Sequence, residues 1–170
     1  LANVDDGALL RAVAVAQAKE LVALGFTMNF SPILDVNSRP ENPIIGDRAF
    51  ADTAELAASR ALTYAGGLHE GGILSCGKHF PGHGDTTTDS HLELPRVSRS
   101  RSELDRVELL PFQRAAAAKI PSLMSAHVVY DALDPTTPAT LSRTICTDLL
   151  RGTLGFTGVL FSDDLEMKAL

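Results

Sequence analysis

Four short apolar runs, residues 26–36, 73–78, 122–126 and 158–162, begin roughly 35–50 residues apart, and the intervals between them carry helical patterns. Antiparallel hairpins close with a few residues, whereas parallel strands need a long crossover, usually a helix. The runs are apolar on both faces, as strands covered on both sides must be. Together these features predict a parallel sheet built from βαβ units. The first helix should span residues 8–24, after Asp5 and Asp6 as candidate N-caps, and stop at Gly25. Asp52 with Glu55 reads as a capping box for a helix running to about residue 70, and Ser100 with Glu103 reads as another. Pro111 must kink that last helix or start a second one reaching Lys119. A helix is expected over 142–151, and Pro32 should disturb the first strand near its middle.

Asp35, Lys78, His79, His127, Asp163 and Asp164 all fall where a strand is expected to end. In a (β/α)8 barrel the active site is assembled at these carboxyl ends. A doubly wound sheet also binds ligands there, but it would usually offer a Gly-rich phosphate loop that opens a helix. Gly82-His83-Gly84 is too short for that. The expected fold is therefore α/β, a partial (β/α)8 TIM barrel of about four parallel strands with helices outside.

The segment 77–95, GKHFPGHGDTTTDSHLELP, concentrates the chemistry, with three of the five histidines and several acids in one long loop. Loops of about 12–15 residues without secondary structure are uncommon and usually functional or disordered. Lys78 and His79 can serve as a pair of donors to ligand hydroxyls, against the plainer reading of a snorkelling lysine and a satisfied histidine. His83, between two glycines, is as well suited to holding the loop together as to touching a ligand. Asp89, two residues before His91, can fix its tautomer and favour its charged form, which suits a general acid/base near neutral pH. A zinc site from His79, His83, His91 and Asp89 is the sharper metal reading, but Pro81, Gly82 and Gly84 oppose the helix that HxxxH spacing would need. No metal and no cofactor are expected. Asp163 is a nucleophile or base if it points into a barrel mouth, and Asp164 a helix cap. Arg48 reads equally as a surface ion-pair partner.

The net charge of -6 and pI near 5.3 oppose a nucleic-acid binder. No apolar run is long enough to span a membrane. Cys76 and Cys146 stand singly and are expected as free thiols. The first residues lack the basic and apolar regions of a signal peptide. A cytoplasmic location is the first expectation, with a secreted or cell-surface one open.

The segment KHFPGHGDTTTDSH, the upstream NPIIGDRAF and the downstream AHVVY and GVLFSDDLEM resemble the family 3 glycoside hydrolases. The DSH motif is similar to that of the β-N-acetylhexosaminidase branch, which acts on peptidoglycan fragments. The resemblance implies a (β/α)8 catalytic barrel and a retaining mechanism with a covalent glycosyl-enzyme. It implies Asp163 as nucleophile, His91 as acid/base with Asp89 as its partner, and Arg48, Lys78 and His79 on the sugar hydroxyls. The implied partner is a small GlcNAc-containing, muropeptide-like saccharide. A β-glucosidase, a phosphorylase of the same family, or a sugar-binding domain without catalysis are the alternatives. A full barrel takes about 250 residues, so residues 1–170 read as an internal fragment of one catalytic domain, lacking the first two and the last strands of the family barrel. Alone, such a fragment is expected to be poorly stable and inactive.

Overall fold

A computed structural model describes residues 6–42, 44–86 and 94–170. In chain order the strands are β1 (Met28–Asn29), β2 (Leu74–Phe80), β3 (Arg96–Val97), β4 (Ser122–Ser125), β5 (Val129–Tyr130) and β6 (Val159–Phe161). The helices are α1 (Gly7–Ala23), α2 (Ala54–Glu70), α3 (Arg101–Arg106) and α4 (Leu110–Ala117), with a wide π-type helical segment at Thr144–Thr153. The main sheet has the order β1-β2-β4-β6, and every pairing is parallel. Chain order and spatial order agree because each crossover carries the strand one position further round.

The sheet curls. Phe30, just past β1, meets Phe161 of β6 with ring centroids 5.5 Å apart, although β2 and β4 lie between those strands. Residues from the two edges meet in this way only where a sheet bends towards closure, as barrel strands do. Between β2 and β4, Ser122 Oγ donates to Ser75 O at 2.8 Å. The outer side buries helices. Leu10, Ala14 and Ala18 form the buried stripe of α1, and Ala57, Ala61, Ala65 and Leu68 that of α2. The four-residue spacing puts each set on one helix face, and alanines let the two helices approach closely.

Local signals decide where these elements begin and end. Asp6 caps α1, its carboxylate accepting from Ala8 N and Leu9 N, and Gly25 follows the helix with φ 88°. The Ser100–Glu103 capping box forms as expected, and Pro111 sits in the first turn of a new helix, α4. The Asp52–Glu55 box does not form: Thr53 is the N-cap, so Glu55 falls one place short of the position that would reach back. The strand expected over 26–36 pairs only at Met28–Asn29 and again at an isolated bridge between Ile33 and Lys78. The Ser31–Pro32 segment between them has no proline N–H to offer the ladder. The last helical segment lies two residues later than expected, at 144–153. β3 and β5 form a small second parallel pair that two-residue strands could not announce. Cys76 is buried, Cys146 is half-buried, and both are free thiols.

Candidate active site at the carboxyl ends of the strands

The site is built around an irregularity in β2. Its register against β4 shifts between Lys78 and Phe80, leaving His79 as the extra residue. Bulges re-aim side chains and free backbone groups from the ladder. Here the freed His79 N–H turns to the carboxylate of Asp35, reaching both oxygens at 3.1 Å. The peptide bond between Lys78 and His79 is cis, as is that between Phe80 and Pro81.

Asp35 is wholly buried and collects three donors. His79 Nδ1 lies 2.7 Å from Oδ2, and the His83 N–H donates to Oδ1 at 2.7 Å, in addition to the His79 N–H. Burial alone would raise its pKa, but the attraction of His79 and then His83, with their hydrogen bonds, outweighs it and holds the carboxyl below its ordinary value. The other ring nitrogen of His79 faces Asp163, with Nε2 3.9 Å from Oδ2. Asp163 stands just past β6, its side chain 22% exposed, and Oδ1 accepts from Asp164 N at 2.9 Å.

Lys78 is half-buried and its pKa is lowered, first by burial and then by the nearby Arg48 cation. Asp163 and Asp35 act in the opposite sense. Lys78 thus feels the charges of both Arg48 and Asp163. Arg48 comes from the short 3-10 turn Gly46–Arg48, is itself exposed, and donates from Nη1 to Ile44 O at 3.1 Å. Lys78 and Arg48 also share the lining of a cleft of about 390 Å³ with Phe30 and Asn29. The structure thus brings Asp163, His79, Lys78 and Arg48 together. Asp89 and His91 lie outside the described residues.

Residues 81–86, the first part of the loop after β2, are packed into the protein. Gly84 passes so close to Val36 that a Cβ would lie 1.7 Å from the Val36 carbonyl oxygen, and Gly82, with φ 131°, rests against Glu108. No side chain larger than hydrogen fits either place. His83 is a loop-holding residue: its Nδ1 lies 2.7 Å from Thr86 Oγ1, it is buried, and burial lowers its pKa. Asn42, from the NPIIG segment, donates from Nδ2 to His83 O and Gly84 O and accepts at Oδ1 from Ile44 N and Ile45 N. Tyr130 donates to Gly82 O at 2.7 Å. His127, at the end of β4, has Nε2 2.9 Å from Asp164 O, so it steadies the turn that bears Asp163.

Beneath the loop lies a charge cluster. Asp85 Oδ1 receives Arg39 and Arg99, each at 3.1 Å. Arg99 Nη1 also approaches Glu108 at 3.4 Å, yet neither oxygen of Glu108 accepts a well-formed hydrogen bond. Burial dominates there and pushes Glu108 up to about 7 despite the guanidinium.

The reading of His79 and His83 as metal ligands meets different partners. Their rings stand edge to face at 5.8 Å, and each Nδ1 is turned to Asp35 or Thr86. Among the described residues no group of three His, Cys, Asp or Glu side chains is placed to hold a metal ion. Residue-by-residue reading missed Asn42 and Glu108, and it noted Asp35 only as a strand-end residue. The end-of-strand position was the one available signal for Asp35.

A parallel sheet curling towards closure, with polar side chains gathered at its carboxyl ends, defines an enzyme-type (β/α)8 barrel, present here in part. The chain belongs to the glycosyl hydrolase family 3 N-terminal domain family, whose model matches residues 1–170. It is 47% identical over 152 residues to a beta-hexosaminidase of Alkalilimnicola ehrlichii, covering 89% of this chain and 43% of that protein. A family 3 beta-N-acetylglucosaminidase from Paenibacillus sp. FPU-7 superposes with a TM-score of 0.94 at 47% identity, over 96% of this chain and 31% of that one. NagZ from Neisseria gonorrhoeae in complex with N-trifluoroacetyl-D-glucosamine gives 0.88 at 42% identity, over 94% of this chain and 46% of that one. The chain spans less than half the length of each of these proteins.

Proposed function

We propose that the chain is part of the catalytic barrel of a retaining β-N-acetylglucosaminidase that releases terminal β-linked GlcNAc from peptidoglycan-derived saccharides. The observation that carries this reading is the convergence of Asp163, His79, Lys78 and Arg48 at one end of a parallel sheet, in a chain of this family. Two cations, an imidazole and a carboxylate suit a neutral, hydroxyl-rich ligand, and the relatives' names specify an N-acetylhexosamine.

The chemistry follows from the groups. An Asp163 oxygen attacks the anomeric carbon as the bond to the aglycone oxygen breaks. His91, charged and supported by Asp89, delivers its proton to that departing oxygen, leaving a glycosyl ester on Asp163. Water then adds to the anomeric carbon and gives a proton to His91, and the Asp163 carboxylate leaves. Histidine, with an unperturbed pKa of about 6.5, suits both proton transfers. Arg48 and Lys78 donate to sugar hydroxyls, with His79 completing the set.

The test is turnover of chromogenic β-GlcNAc and β-glucoside substrates by the full-length protein, with mass spectrometry of the trapped enzyme. Preference for β-GlcNAc and a glycosyl adduct on Asp163 are expected. Equal turnover of the two substrates would sink the acetylhexosamine assignment, and sugar binding without turnover would leave a binding domain. A glycosyl phosphate product in phosphate buffer would replace water by phosphate as the acceptor.

A further inference from the structure

Asp35 is a fully buried carboxylate with three hydrogen-bond donors, and the chemistry above does not use it. Its side chain is fully buried, so it cannot touch a sugar. A buried charge of this kind is costly unless its lone pairs are engaged, and Asp35 is engaged by three donors, two from His79 at the bulge of β2 and one from His83 just past it. One of them, His79 Nδ1–H, belongs to a side chain that reaches the site. The partner on one ring nitrogen decides what the other can do. With Nδ1 donating to Asp35, Nε2 of the neutral imidazole carries the lone pair, and that lone pair faces Asp163 at 3.9 Å.

Resting on the functional reading above, we infer that Asp35 is a positioning residue that acts through His79. It fixes the tautomer in which Nε2 is an acceptor, so that the site offers a sugar hydroxyl one donor, Lys78, and one acceptor, His79. While His79 is neutral, it also keeps a hydrogen-bond donor away from the attacking carboxylate. The opposite tautomer would point an Nε2–H at Asp163, and a carboxylate that accepts a hydrogen bond is a weaker nucleophile. His79 is therefore an acceptor in its neutral form, and Lys78 alone is the donor of the pair.

Asp35→Asn tests this, because an amide N–H facing Nδ1 imposes the opposite tautomer while preserving size. In the full-length protein, kcat on β-GlcNAc substrates should fall about 10²- to 10⁴-fold, the scale at which a wrong tautomer disables a catalytic imidazole, with a smaller change in KM. In a His79→Ala background the same substitution should cost less than about threefold, since a residue that works through another loses its effect when that other is gone. An equal loss in both backgrounds would mean that Asp35 only braces the scaffold, and would overturn the inference. Nitrogen-15 NMR of the imidazoles gives a reading that survives even if Asp35→Asn does not fold. His79 of the unaltered protein, assigned through His79→Ala, should show a protonated Nδ1 and a bare Nε2, and the reverse pattern would overturn the inference too. A preference for β-glucoside would instead strike the substrate assignment and leave the tautomer result standing.

Discussion

The carboxyl ends of β2 and β6, with β4 between them, contribute to one site but are made in opposite ways. At β2 the backbone is bulged and buried, and its polar groups are firmly held: Asp35 holds His79 and His83, Asn42 holds two loop carbonyls, and Tyr130 holds a third. At β6 the chain leaves a three-residue edge strand for a turn in which Asp163 is partly exposed and Asp164 and Leu165 are solvent-facing. On the proposed mechanism, the first region carries groups that must be held, and the second carries a group that must react. Tight hydrogen bonding locks orientation but dulls a nucleophile, so a division between a rigid holding side and a lightly bonded attacking side is what displacement at a sugar carbon requires.

That contrast breaks if the two rims respond alike to substitution. The largest expected effect is at β6: Asp163→Ala should lower kcat by at least about 10⁴-fold, the range seen when a nucleophile is removed. Its unfolding free energy should stay within about 0.5 kcal/mol of the unaltered protein. A large loss of stability would show that Asp163 is a structural group and erase the division. His91→Ala should cost about 10²- to 10⁴-fold with a poor leaving group and much less with a good one, which departs without a proton. Equal losses with both would contradict the acid role, and Asp89→Ala should give a milder version of the same pattern.

At β2 the expectation is reversed, with stability lost first. Gly84→Ala drives a methyl into the Val36 carbonyl and should cost about 3 kcal/mol, at the upper end for overpacking. Chemical denaturation that found it neutral would show the loop to be far looser than its contacts. An effect of similar size, spread over pH, is expected at Glu108, whose folded pKa of about 7 lies above its ordinary value of 4.5. The folded state holds this proton more tightly than the unfolded chain does. The associated stability is therefore complete below about pH 4.5 and is lost as pH rises to about 7, roughly 3 kcal/mol in all. Glu108→Gln has no proton to lose and should flatten that part of a stability-against-pH curve. A slope unchanged by the substitution would place the titration elsewhere.

How much of this was legible in the sequence depends on the range of the interaction. Asp163, Lys78 and His79 could be picked out because strand ends are local events, marked where an apolar run stops. The capping box at Ser100 was legible for the same reason, while the similar pattern at Asp52 misled because one residue of phase decides which side chain reaches back. Asp35 pairs with a histidine 44 positions away, and nothing within either segment encodes that meeting. Asn42 looks like an ordinary residue of a proline-rich turn until the fold lays His83 and Gly84 across it. Glu108 lies in the short stretch between two helices, where an acid usually faces water. Its burial is a property of the packed loop above it and of no nearby residue.

The Asp85 cluster closes a loop as well as storing charge. Asp85 stands at the near end of the segment that holds Asp89 and His91, Arg99 stands at its far end, and the two are joined at 3.1 Å, with Arg39 fastening the same carboxylate from a third direction. The clasp and the pairing of β3 with β5 hold the flanks without using the side chains of residues 87–93. Doubling the length of such a closed span costs only about 0.6 kcal/mol in closure entropy. On the proposed mechanism, the stretch that supplies the proton can therefore change in length and in its acid while the groups proposed to hold the sugar are kept.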